Sequence, residues 1–242
     1  MGRRRMEWLA RANHLGGLPR ILVIRAVGTF AKVVANLLNT NTVHNGATLI
    51  QLVRSRPPGV QLLTVSNHIS TCYLNFIISY WKCIPITRGA GIYQEHMMKL
   101  LILHTFPEGK VCQEDAPVRR LKCGTASVIA RAPVTPIVLP IIHRGFEKVM
   151  PENYAFGRRP PVPLWNQEIK IVVGEPMEFN LPELREMILY QSRDSSSSSG
   201  RWPRTILGGL GEAAQRCLYM TISDQIRTTL ENLRSFSKVN LM

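Results

Sequence analysis

Apolar residues dominate the stretch from Ile21 to Leu38, interrupted at regular intervals by Arg25, Thr29, Lys32 and Asn36. Those interruptions follow at steps of four, three and four, so on a helix they form one narrow polar stripe on an otherwise greasy cylinder. Two cations near the middle disfavour a plain transmembrane span, at roughly 2.5 to 3.5 kcal/mol each on insertion scales. A helix lying in the headgroup plane satisfies both halves of the pattern, with residues such as Val27 and Val34 facing lipid. The alternative is a helix packed on a protein core with its stripe in water. Arg3-Arg4-Arg5 and Trp8, just upstream, favour the membrane interface.

Beyond Val60 the pattern changes to short apolar runs closed by turn residues. Gln61–Val65, Cys83–Ile86, Leu101–Phe106, Pro136–Ile142 and Ile169–Val173 read as strands, several without alternation, as in a sheet buried on both faces. Val118–Arg131 has helical composition between two of them, and the alternation predicts an α/β fold with a sheet flanked by helices. Gln191–Arg204, with serine at every position from Ser195 to Ser199, reads as a linker. After it Leu218, Ile222, Ile226 and Leu230 recur every fourth residue on a C-terminal helix. The expected organisation is an interface segment over 1–40, a main domain over 41–190, a linker over 191–204 and a terminal helix over 205–242.

Charge adds a partner. The formal net charge is +14, and up to Gln94 eleven Lys and Arg face the single acid Glu7. Such a block calls for an anionic surface. Aromatic residues, at 7%, are not interleaved with the basic ones, and no nucleic-acid-binding signature is present, so lipid is favoured over nucleic acid. Five irregularly spaced cysteines without a C-x-x-C pair predict reduced thiols and a reducing location, and neither they nor the six histidines suggest a metal site. An Arg-rich, acid-poor start is also what a mitochondrial transit peptide shows, without an evident cleavage pattern.

Three features cluster at strand ends, where α/β sheets place their ligands. Ser66-Asn67-His68 follows a strand directly; a lone histidine is more often structural than catalytic. Ile84-Pro85-Ile86-Thr87-Arg88-Gly89 sets a guanidinium, suited to phosphate, beside a glycine that lets backbone N–H groups approach. His104-Thr105-Phe106-Pro107-Glu108-Gly109-Lys110 ends a strand in a turn carrying a carboxylate and a cation. Taken in this order, the three resemble the motif blocks of the glycerolipid acyltransferases. Phe106-Pro107-Glu108-Gly109-Lys110-Val111 is similar to the tafazzin branch, where lysine follows Pro-Glu-Gly. A proline-bounded fourth block, Val134 to Pro140, runs into Ile141-Ile142-His143-Arg144-Gly145-Phe146, and the likeness is strongest to plant members described as tafazzins or N-acylphosphatidylethanolamine synthases.

The resemblance implies a membrane-associated acyltransferase. His68 would be the general base, taking a proton from a lysophospholipid hydroxyl or a phosphatidylethanolamine amine. Arg88, Gly89, Glu108, Gly109, Lys110 and Pro140 would form the substrate-binding set. The partners would be phospholipids, lysophospholipids and an anionic membrane surface, in mitochondria or at the plasma membrane. No cofactor is implied beyond acyl-CoA as a possible co-substrate; tafazzins take the acyl group from a phospholipid instead.

Two departures qualify this. The family's first block is histidine, four residues, then aspartate, whereas Tyr73 stands five after His68 and no acid occurs between Glu7 and Glu95. The comparable loss of a carboxylate in a serine-protease triad costs about 10⁴ in turnover. The spacing from His68 to Arg88, and the nine residues from Ile92 to Leu100, are short for the crossovers they must contain. The chain therefore reads as internally shortened. The alternative function is a lipid-binding product with impaired catalysis.

Overall fold

The computed structural model describes residues 22, 25, 26, 29, 30, 32–34, 36–69, 102–113, 116–193 and 211–240. The expected strand Cys83–Ile86, the residues Arg88, Gly89 and Tyr73, the basic start and the serine run lie outside them.

Among the described residues five strands form one sheet: β1 (Thr40–His44), β2 (Leu62–Ser66), β3 (Ile102–Thr105), β4 (Ile137–Arg144) and β5 (Glu168–Val173). The spatial order is β1-β5-β4-β2-β3. β2 runs parallel to both neighbours, pairing Thr64 with His104 on β3 and Val65 with Pro140 on β4. The helices are α1 (Gly46–Ser55), α2 (Gly124–Arg131), α3 (Phe146–Val149), α4 (Leu181–Arg193) and α5 (Glu212–Asn240). This is the α/β architecture the alternating runs predict.

The residues fall into two compact units. One holds the described residues up to Thr42, Ile69, and Arg144–Lys170; the other holds Val43–His68, the described residues from Ile102 to His143, and those from Ile171 onward.

In the second unit the period-two geometry of strands sorts the core onto two faces. Leu63 and Val65 of β2, with Val138 and Ile142 of β4, meet Ile129 of α2, Ile188 of α4, and Leu218, Ile222, Ile226 and Leu230 of α5. All four α5 residues are fully buried, as their spacing requires. The intervening residues Leu62, Ile137 and Leu139 pack with Val173, and with Leu49 and Leu52 of α1. Asn45 starts α1 from the left-handed region, φ 56°, which asparagine tolerates, and its Nδ2 donates to the Val173 carbonyl at 3.2 Å.

The predicted helix Val118–Arg131 begins late, at Gly124. Val118 is instead held by α5: its N–H donates to Glu231 Oε2 at 2.7 Å, and its carbonyl accepts from Arg227 Nε at 2.9 Å. Backbone groups satisfied in this way have no need of a helix.

In the first unit the described positions from 22 to 34, and residue 36, are helical. The stripe residues Arg25, Thr29, Lys32 and Asn36 are all exposed, and so are Leu22 and Phe30. Val34, expected on a lipid face, is only 4% exposed and belongs to the protein interior. Asn39 closes this segment: its Nδ2 donates to the Val34 carbonyl at 2.7 Å, and its Oδ1 accepts from Gln167 N–H at 2.7 Å. Among the described residues no helix is long and apolar enough to cross a membrane.

Candidate functional site

The carboxyl ends of the parallel strands β2, β3 and β4 point the same way, so the segments that follow them meet at one end of the sheet. After β2 comes Asn67-His68; after β3, Phe106-Pro107-Glu108-Gly109; near the end of β4, His143.

Asn67 locks the first of these segments to β4. Its Nδ2 donates to the His143 carbonyl at 2.9 Å and its Oδ1 accepts from the His143 N–H at 3.0 Å, a reciprocal pair between buried groups. His68 is then joined to the Pro-Glu-Gly turn. Its backbone N–H donates to Glu108 Oε1 at 2.9 Å, and its carbonyl accepts from Cys112 N–H at 2.7 Å. The half-buried His68 imidazole stacks on Phe106, with ring centroids 4.5 Å apart and an interplanar angle of 23°. Its position is thus fixed by main chain and ring together, and two sequence blocks forty residues apart form one site.

Phe106 also meets two other imidazoles edge-on: His104 at 4.6 Å and His143 at 6.4 Å between centroids. His104 holds hydroxyls at both ring nitrogens, Thr64 Oγ1 at 2.7 Å from Nδ1 and Ser66 Oγ at 3.1 Å from Nε2. A neutral ring donates at one nitrogen and accepts at the other, so the two hydroxyl rotors and the tautomer are set jointly. Burial, and secondarily the charge His68 would carry, lower the His104 pKa to about 4. Burial lowers His143 to about 3, with His104 and His68 adding to the effect. Both are therefore neutral at physiological pH.

Burial raises the Glu108 pKa, while the His68 N–H, Arg119 and Arg234 act in the opposite direction. Arg234 also pairs with Glu231 at 2.9 Å, the same carboxylate that holds Val118.

Gly109 has φ +70°, and a Cβ there would lie 2.6 Å from Lys122 Cε and 2.7 Å from its Nζ. Glycine thus gives the Lys122 side chain room to lie across the turn. Lys122 N–H donates to the Pro107 carbonyl at 2.8 Å, which fixes the base of that lysine. Lys122 is a cation at the site that the sequence pattern did not single out; no local signal marks it, because its proximity comes from the chain returning after Val118.

Of the residues expected in the site, the structure brings together His68, Glu108 and Gly109. Lys110 follows on the same turn, exposed. Pro140 sits apart from them, buried within β4, opposite Val65 and against Gly174; a Cβ on Gly174 would fall 2.9 Å from Pro140 Cγ. Arg88 and Gly89 lie outside the described residues. Among the described residues, no group of three or more His, Cys, Asp or Glu side chains is arranged to hold a metal ion. Cys112, Cys123 and Cys217 are free thiols.

No family model matches the chain. It is 52% identical to N-acylphosphatidylethanolamine synthase of Arabidopsis thaliana over 278 aligned positions, which take in 96% of this chain and 98% of that protein. It is 34% identical to tafazzin of Drosophila melanogaster over 202 positions, covering 65% of this chain and 51% of that protein. The first alignment exceeds the 242 residues of this chain by 36, so at least that many of its positions have no residue here to match. Among solved structures, the 1-acyl-sn-glycerophosphate acyltransferase of Thermotoga maritima superposes with a TM-score of 0.44 at 16% identity, covering 75% of this chain and 83% of that one, a likeness too distant to carry a functional argument.

Proposed function

We propose, from the premise that this chain belongs to the family of N-acylphosphatidylethanolamine synthase and the tafazzins, that it transfers a fatty acyl group onto a glycerophospholipid acceptor at a membrane surface. The observation that carries the reading is the 2.9 Å hydrogen bond from His68 N–H to Glu108 Oε1, which unites the histidine block with the Pro-Glu-Gly block.

In this reading the His68 imidazole takes the proton from the acceptor, a lysophospholipid hydroxyl or a phosphatidylethanolamine amine. The freed lone pair attacks the acyl carbonyl to give a tetrahedral oxyanion. Collapse breaks the bond to the donor's leaving oxygen or sulfur, and the proton on His68 passes to that leaving group. Glu108 acts chiefly by fixing the backbone of His68. Lys122, lying across the Gly109 turn, and Lys110 beside it supply positive charge for the acceptor phosphate, with Arg88 as a further guanidinium. Acyl-CoA and a phospholipid both fit as donor. A mitochondrial membrane or the plasma membrane fits as the compartment.

A second reading is a lipid-binding protein with impaired catalysis. It is favoured by Tyr73 in place of the family's aspartate and by the alignment positions this chain lacks. The test is mass-spectrometric product analysis with labelled donor lipid offered to lysophospholipid and phosphatidylethanolamine together. Labelled diacyl or N-acyl product supports transfer and assigns the acceptor; lipid capture without product supports the second reading.

A further inference from the structure

The first unit carries a feature that acyl transfer does not use. Residues 154–158 form a tight hairpin turn closed by an isolated antiparallel bridge between Ala155 and Arg158. Arg158 N–H donates to the Ala155 carbonyl at 3.1 Å, and Tyr154 N–H to the Arg158 carbonyl at 3.0 Å. Both central residues have positive φ, Phe156 at 55° and Gly157 at 69°, as a type I′ turn demands. Asparagine or glycine is the usual occupant of the first of these positions; here a phenylalanine takes it, wholly exposed. Tyr154 and Trp165 are also more than half exposed.

An aromatic ring in water at the tip of a constrained turn is unfavourable twice over, by conformation and by solvation. The surrounding charge indicates what would relieve it. From Asn153 to Gln167 there is no acid, while Arg158 and Arg159 stand directly after the turn. Arg159 is paired with Glu152, and Arg158 is exposed. An apolar tip, an adjoining guanidinium, and an exposed Tyr and Trp in the same acid-free stretch are the residue types that meet the acyl chains, phosphates and interfacial belt of an anionic bilayer.

The hairpin segment is also anchored to the N-terminal helix. Asn166 N–H donates to the Leu38 carbonyl at 2.7 Å, and Asn39 Nδ2 reaches the Leu164 carbonyl at 3.5 Å besides bonding Val34 and Gln167.

We infer that the 154–158 hairpin is a bilayer-insertion element, with Phe156 entering the acyl region and Arg158 binding lipid phosphate. The inference rests on membrane association, and it holds whether or not the chain transfers acyl groups.

The test is co-sedimentation of the full chain with vesicles of phosphatidylcholine alone and with about 30% phosphatidylglycerol. Phe156→Ser is expected to weaken binding to the anionic vesicles roughly tenfold, with unchanged circular dichroism. Arg158→Gln is expected to lower the preference for anionic over neutral vesicles by roughly fivefold, the contribution of one interfacial cation. Phe156→Trp should gain fluorescence quenching by brominated lipid beyond that of the wild type. Unchanged binding of folded Phe156→Ser, or a tryptophan at 156 that bromolipid does not quench, would overturn the inference. So would a Phe156→Ser variant whose only change is dissociation of an oligomer, which would make the tip a protein contact. Turnover of a dispersed short-chain lysophospholipid separates the two proposals: Phe156→Ser keeps the wild-type rate there if only insertion is lost, and an inactive wild type refutes acyl transfer while leaving the vesicle result intact.

Discussion

Glu108 accepts a hydrogen bond from the main chain of His68, at 2.9 Å, and not from its imidazole. The carboxylate therefore aligns the histidine without acting as its proton partner, and it does not replace the aspartate expected at Tyr73. Glu108→Gln preserves an acceptor oxygen and should keep at least a tenth of the wild-type rate. Glu108→Ala leaves the N–H unsatisfied, at a cost of about 1–3 kcal/mol, and should reduce turnover on the order of a hundredfold. Steady-state rates for the two variants check this.

The neutral histidines predict acid sensitivity. His104 ionises near 4 in the fold and near 6.5 when unfolded, so the unfolded chain binds more protons between those values. Its contribution is complete above pH 6.5 and lost as pH falls through 4, amounting to up to about 3 kcal/mol. His143, near 3 in the fold, extends the loss to lower pH. Glu108, raised by burial, has the opposite sign: its contribution is present in acid and lost as pH rises through its folded value. Urea midpoints should fall from pH 7 to pH 4, and His104→Gln should flatten that slope.

The Asn67 clamp predicts a structural phenotype. Asn67→Ala removes the partner of a buried N–H and a buried carbonyl of His143, at about 2–6 kcal/mol in total. Denaturant unfolding should register that loss, with no comparable effect from substituting exposed Lys110.

Lys122 and Gly109 should behave as a pair. Gly109→Ala places a methyl where the lysine side chain runs and forces φ +70° on alanine, costing about 1–2 kcal/mol. The flexible end of Lys122 can swing aside, so the variant should fold but bind acceptor poorly. Lys122→Met should raise KM for a phosphate-bearing acceptor about tenfold, with kcat changed less. The double variant should be no worse than the weaker single.

Strands within the buried sheet were legible because parallel strands covered on both faces read as continuous apolar runs; Ile137–Ile142 is such a run, and Leu62–Val65 is broken only by Thr64. β1 was not, since Thr-Asn-Thr-Val-His at the sheet's end has neither a run nor clear alternation. The late start of α2 was hidden for another reason: what holds Val118 outside the helix is Glu231 and Arg227, more than a hundred residues away. The motif words picked out His68, Glu108 and Gly109, which the fold brings together at one end of the sheet. They carried no information on Phe106 as the surface under the imidazole, or on Lys122. Those relations arise from tertiary packing, as does the burial of Val34, which hydropathy alone placed toward lipid.

That correction changes how the N-terminal helix is probed. Val34→Asp places a carboxylate in the protein interior and should unfold the unit that contains it. Leu22→Asp with Phe30→Asp alters exposed positions and should leave the fold intact while reducing vesicle binding. Co-sedimentation beside circular dichroism distinguishes the outcomes.

The most direct measurement is the rate of labelled acyl transfer from donor lipid to lysophospholipid on anionic vesicles, in wild type, His68→Ala and Tyr73→Asp. If His68 is the base, the wild type turns over slowly, His68→Ala falls to the protein-free background, and Tyr73→Asp exceeds the wild type. Equal rates for wild type and His68→Ala would contradict the assignment of His68 and with it catalysis at this site.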